Sequence, residues 1–281
     1  MIFVSGTKRS GTSMWMQVLR AAGIPVLGEA FPRNWDKVPL RDANPDGFYE
    51  SILREGIYFA TNPHPVTGKY FLPEHVQGYA VKVFVPGVIR SERAYISHLI
   101  ATFRPWREYT ASIERLYALE DQGRRELADP PIRFPPALEW WMENFALVRD
   151  ITLRKLPCRL QTYDDVLERP VEVITAALEW AGCGDIERAI AAVKPDNRTQ
   201  IDSPDSNEIE PRFARVFDDL YAAIKQREGL SGALLETLNQ TNRALLPRLA
   251  ELQREVMASH GRISNQAGTQ RRAGPIPGLP E

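Results

Sequence analysis

IFVSGTKRSGTSMWMQV, residues 2–18, joins an apolar run to a Gly/Ser/Thr loop with two adjacent cations, and that loop to an apolar helical pattern. Ile2 to Val4 suits a strand buried on both faces. From Thr12 to Ala22, the residues Met14, Trp15, Val18, Leu19 and Ala22 recur at helical spacing, and Gly23 is placed to end the helix. Between strand and helix, GTKRSG (6–11) reads Gly-x4-Gly. The amides of such a loop, added to those at a helix N-terminus, form a positive concavity for an oxyanion. The nucleoside-triphosphate version continues Gly-Lys-Ser/Thr, with Lys on the β/γ-phosphates and the hydroxyl on magnesium. Here the continuation is Gly11-Thr12-Ser13, and the cations Lys8 and Arg9 lie inside the loop. A Gly-x-Gly-x-x-Gly dinucleotide fingerprint is absent. The loop therefore offers hydroxyls, amides and cations without the usual magnesium–phosphate arrangement.

Outward from this loop, strand and helix patterns alternate. YAVKVFV (79–85) reads as a strand stopped by Pro86-Gly87, and HLIATF (98–103) as another. Trp106 to Leu119 is helical, with Pro105 suited to its first position. ALEWWMENFALVRDITLRKL (137–156) is an amphipathic helix, CRLQTY (158–163) a strand, and 171–182 and 185–193 are helices. This alternation predicts βαβ units around a parallel sheet. Residues 24–78, rich in Pro, Gly and Asn, read as loops with short helices, and 194–211 as a surface loop. Arg212 to Gln253 is helical, with a break near Gly229 and Gly232 and an interruption or kink at Pro247. From Ser259 onward the polar, Gly/Pro-rich composition predicts a disordered tail.

Composition bounds the answer further. Of 281 residues, 43% are hydrophobic and 25% charged, enough for one sizeable core. The net charge of −1 gives no global attraction to nucleic acid or to an anionic membrane. No run approaches the ~18 apolar residues that cross a bilayer, and the first strand at Ile2 leaves no room for a leader. The two cysteines, Cys158 and Cys183, have no metal-ligand spacing, and the four His are scattered. The expectation is a cytoplasmic protein that uses no metal.

Arg9-Ser10-Gly11-Thr12-Ser13 resembles, residue by residue, the phosphosulfate-binding motif of the sulfotransferases that use 3′-phosphoadenosine 5′-phosphosulfate (PAPS). Their 3′-phosphate motif is a strand ending in Arg-(Asp/Asn)-Pro, with Ser eight residues after the Arg. HLIATFRPWREYTASI is similar, with Arg104 at the strand end and Ser112 eight later, although Pro105 follows Arg104 directly. Pro105 and Ser112 are two helical turns apart and share a face beside Arg104. TYDDVLERP (162–170) resembles a third family segment, which brings Tyr163 near the nucleotide and leaves Asp164 and Asp165 to cap the next turn. Lys82-Val-Phe84-Val-Pro86 resembles Lys-Thr-His-Leu-Pro of the cytosolic branch, with Phe84 where the catalytic His stands. The resemblance spans roughly residues 1–185; the family's C-terminal Arg-Lys-Gly-x-x-Gly segment is absent.

The resemblance implies a three-layer α/β fold of P-loop-like sulfotransferase topology with C-terminal helices. The domain expectation is a 1–210 α/β domain with acceptor loops at 24–78, a helical extension at 211–258 and a tail at 259–281. It also implies transfer of a sulfuryl group from PAPS to a hydroxyl or amine, releasing 3′,5′-ADP. Arg9 and Lys82 would neutralise sulfuryl charge. Lys8, Arg9, Ser10, Gly11, Thr12, Ser13, Arg104, Ser112 and Tyr163 would hold the nucleotide, with Lys8 either assisting or facing solvent. With Phe84 in the His position, Glu29 is the first choice of base, ahead of Glu50, Asp36 and His64. Aromatic residues such as Phe31, Phe48, Tyr58 and Phe59 suit an apolar-walled pocket for a small-molecule, carbohydrate or lipid acceptor. Pairing of two copies through the C-terminal helices is a further expectation. Two competing readings are an ATP-dependent small-molecule kinase, against which Thr12 in the Walker Lys position argues, and a degenerate sulfotransferase-fold binding protein.

Overall fold

In a computed structural model the chain is described over residues 1–31, 44–122, 131–194, 209–227, 229–267 and 277–279. Five strands form one sheet: β1 (Ile2–Ser5), β2 (Val26–Leu27), β3 (Ala80–Lys82), β4 (His98–Phe103) and β5 (Cys158–Thr162). They are all parallel, in the order β2-β3-β1-β4-β5. The chain leaves β1 for the β3 side of the sheet and later crosses to the β4 side. The carboxyl end of β1 is thus a switch point, where open parallel sheets form their binding crevice.

Strand side chains alternate between two cores, as a period of two requires. Ile2, Val4, Ala80 and Ile100 face α1 (Thr12–Ala21), and Phe3, Val81, Leu99 and Ala101 face the opposite layer. After α1 come α2 (Val85–Arg90), α3 (Trp106–Gln122) and α4 (Pro136–Arg154). Then follow α5 (Tyr163–Glu168), α6 (Pro170–Ala181), α7 (Ile186–Ala191), α8 (Pro211–Gln226) and α9 (Gly232–Ala267). The first core takes Trp15, Val18 and Leu19 of α1, Val173, Ile174 and Leu178 of α6, and Ala189 of α7. The second holds α2, α3, α4, α8 and α9. The fold is a three-layer α/β sandwich of P-loop-like topology with C-terminal helices.

Several local expectations are corrected. The strand at 79–85 shortens to Ala80–Lys82, and Val85 begins a helix with Pro86 in its first turn, where a missing N–H is harmless. Within the stretch expected to be loop, Val26–Leu27 forms β2, an edge strand of two residues, too short to show a period in sequence. Pro105 stands one residue before α3, its carbonyl accepting from Tyr109 N at 2.8 Å. Asp164 and Asp165 do not cap α5. The cap is Thr162, whose hydroxyl accepts from Asp165 N. Asp165 instead pairs with Arg169, and Asp164 accepts from Tyr221.

The helices after 211 share the core of the α/β domain. Phe217 of α8 stacks on Trp141 at 4.7 Å and 10°, and Trp106 Nε1 donates to Asp218 at 2.8 Å. α9 buries Leu238, Leu245, Leu249 and Leu252 and continues through Pro247 to Ala267, past the boundary placed at 258. Ser259 helps carry it onward, accepting from Ile132 N at 2.9 Å. Further on, Pro277 O accepts from Gly28 N at 3.2 Å beside β2, and Leu279 packs on the second core. No described helix is long and apolar enough to cross a membrane.

Candidate functional site

The loop after β1 closes on itself and is bolted to the neighbouring strand. Ser10 donates to Thr7 O through its amide, at 3.2 Å, and through its hydroxyl, at 2.7 Å. Thr102 of β4 donates to Ser10 O at 2.7 Å. Both Ser10 donors are thereby committed inside the loop, so its side chain shapes the cradle and is not offered to a ligand. Gly11 sits at the α1 N-cap with φ 96°, in the left-handed region. A Cβ there would lie 2.6 Å from Tyr163 Cδ2, so only glycine permits the approach. Beyond it, the first-turn amides of α1, on Thr12 and Ser13 among others, have no partner within the helix.

Arg9 also has a positive φ, 65°, uncommon for a residue with a side chain. Two long-range bonds hold it. Its Nε donates to Ser112 Oγ at 3.1 Å, and Arg104 Nη1 donates to Arg9 O at 3.3 Å. Arg104 is itself buried between Glu108, at 3.3 Å, and the face of Tyr163, 5.2 Å from the ring centroid. Trp140 Nε1 donates to Arg104 O at 2.8 Å and so pins the end of β4. Burial, reinforced by the nearby Arg104 and Arg115, lowers Arg9 to about 10, which still leaves it charged at neutral pH. Arg115 was not foreseen; it lies three residues after Ser112, on the same helix face.

Lys82 forms a second corner. Its ammonium is buried at the end of β3 and has three donors. They reach Ser13 Oγ at 3.2 Å, Phe48 O at 3.0 Å and Glu50 Oε1 at 3.1 Å. Arg54 closes the other side of Glu50, 2.7 Å from Oε2. Burial favours a neutral Glu50, but Lys82 and Arg54 together outweigh it and hold the carboxyl below its usual range. Burial also lowers Lys82, against the opposing pull of Glu50. Glu29 pairs with Glu50 across an isolated antiparallel bridge, with N–H···O bonds of 3.2 and 3.1 Å. Residues opposite across such a bridge project to the same face, with Cβ atoms about 5 Å apart.

The structure thus brings Arg9, Gly11, Thr12, Ser13, Arg104, Ser112 and Tyr163 around one loop, with Lys82 bonded to Ser13 and Glu50, and Glu29 opposite Glu50 across the bridge. Lys8 turns away, toward Glu139 at 3.8 Å and the face of Tyr117. His64 is buried in its own loop, with Nδ1 accepting from Val66 N at 3.2 Å and Thr67 N at 3.1 Å, an anchoring role. Asp36 lies outside the described residues. Phe84 precedes α2 with its ring under Arg54. Arg54 had no signal in sequence, because its relevance arises only through Glu50. The donors gathered at the loop are guanidinium, amide and hydroxyl groups, a set that fits an oxyanion. Among the described residues, no three His, Cys, Asp or Glu side chains are grouped as metal ligands.

No protein-family model matches the chain, and no curated protein matches it. Among solved structures it is similar to the sulfotransferase domain of the Synechococcus PCC 7002 olefin synthase, at 15% identity and a TM-score of 0.40. That alignment covers 88% of this chain and 94% of the other. So distant a likeness carries no argument about activity.

Proposed function

We propose that the protein is a PAPS-dependent sulfotransferase, moving a sulfuryl group to an acceptor hydroxyl or amine and releasing 3′,5′-ADP. The observation that carries this reading is the Arg9–Ser112–Arg104 junction. It couples the loop after β1 to the start of α3 through a 3.1 Å and a 3.3 Å bond. Two anion subsites, one at the loop amides and one at Arg104 with Ser112, match a nucleotide phosphorylated at both 5′ and 3′ positions. Arg9 and Arg104 bring two guanidinium groups to one junction, and Arg104 has Glu108 as its counter-ion at 3.3 Å.

In this reading the acceptor oxygen attacks sulfur in line, and the bond from sulfur to the 5′-phosphate oxygen breaks, leaving its electron pair on the phosphate. Arg9 and the α1 amides neutralise charge on the departing phosphate, while Thr12 and Ser13 fix its orientation. Glu29 takes the acceptor's proton. It is preferred to Glu50, whose two cationic partners make it a weak base. The test is calorimetry with 3′,5′-ADP in excess chelator, followed by incubation with labelled PAPS and cell extract. Metal-independent binding and a sulfated product are expected. Binding that requires magnesium and favours ATP would refute the reading.

A further inference from the structure

Glu50 is the best-connected carboxylate near the loop, yet its geometry is that of an anchor. The geometry points to Glu50 as a positioning residue: with Arg54 it holds Lys82 against Ser13, and so aims the Ser13 hydroxyl into the anion loop. The inference rests on the sulfotransferase reading for its ligand but not for its contacts.

Each link in this chain has a reason. All three Lys82 donors are engaged, so Lys82 does not reach a sulfuryl oxygen from this position. It acts through Ser13 instead. A hydroxyl has lone pairs and one proton, and a lone pair that accepts from Lys82 leaves the proton to be donated elsewhere. In the structure that proton faces Phe48 O at 3.4 Å, a long contact readily exchanged for a charged acceptor. Lys82 also donates to the same Phe48 carbonyl, at 3.0 Å, which ties the acceptor-side segment to the anion loop. Around Lys82 stand Glu50, Arg54 and Arg9, with Glu29 opposite Glu50 across the bridge. Two of these are cations that oppose its charge, and Glu50 is the bonded counter-ion.

Without Glu50 the buried ammonium would lose its bonded counter-ion while Arg54 and Arg9 remained nearby, and it would lose its proton at lower pH. The Ser13 clamp would fail on the alkaline side first. Glu50→Gln should therefore bind 3′,5′-ADP nearly as the unaltered protein does at pH 6. Above the new Lys82 pKa its affinity should fall progressively, with the protonated fraction of Lys82 decreasing about tenfold per pH unit. The unaltered protein should hold its affinity to higher pH. In urea denaturation, Glu50→Gln and Lys82→Met should be non-additive, the double variant being more stable than the two single losses predict. A binding loss equal at pH 6 and pH 9 would overturn the proposal. So would turnover abolished at every pH with an unchanged binding profile, which would make Glu50 the base. If the unaltered protein does not bind 3′,5′-ADP, the sulfotransferase reading falls. The denaturation cycle then judges the clamp alone, and additive losses reject it.

Discussion

Glu143 of α4 lies one helical turn beyond Glu139, on the same face. Burial, and then the charge of Glu139, push its carboxyl up to about 8, with Lys8 pulling the other way. Between the ordinary carboxyl value of 4.5 and about 8, the folded chain keeps a proton that the unfolded chain has released. Stability therefore falls as pH rises through that window, and the full cost is present above it. The displacement corresponds to roughly 5 kcal/mol at ~1.4 kcal/mol per decade. Glu143 is still partly reached by solvent, and screening brings the expectation to about 2–3 kcal/mol. Glu143→Gln keeps the shape and hydrogen-bonding of the neutral acid but cannot ionise. By urea denaturation, the variant and the unaltered protein should differ by less than ~1 kcal/mol at pH 5. At pH 9 the variant should be more stable by about 2–3 kcal/mol, a rise in Tm of roughly 4–10 °C for a chain of this size. An equal difference at both pH values, or a less stable variant at pH 9, would refute the reasoning.

Two predictions concern the site itself. Arg104→Ala should weaken 3′,5′-ADP binding by ~1.5–3 kcal/mol, the scale of a lost bond to a charged group, and AMP binding far less. Calorimetry with both ligands checks this, and equal losses would make Arg104 a fold residue acting through Arg9 O. Glu29→Gln should lower turnover by roughly 10²–10⁴ with 3′,5′-ADP affinity nearly unchanged. Normal turnover in that variant would transfer the role of base to another group, with Asp36→Asn as the next test.

The elements legible in the linear chain are those set by short-range geometry. Gly6 to Gly11 stands between an apolar run and a helical period, and the strand–loop–helix that this predicts is the one the structure has, since turn chemistry and periodicity are local. Arg104 and Ser112 were singled out by their resemblance to a family motif, and in the structure Arg9 is bonded to both. Local pattern does not say which partner a side chain meets across the fold. Lys82, read as a ligand to the transferred group, has its donors taken by Ser13 and by Phe48 and Glu50, which are 69, 34 and 32 residues away. Lys8, adjacent to Arg9 in sequence, points to Glu139 because the loop turns there. Glu29 was the first choice of base and Glu50 a rival, and nothing in the sequence showed that Lys82 and Arg54 would close on Glu50. The docking of Pro277 beside β2 spans 249 residues and carries no sequence signal, since a single backbone carbonyl makes the bond. Residue type and spacing determined which groups carry the charge and donors suited to an anion; the tertiary structure decided which neighbours each of them meets.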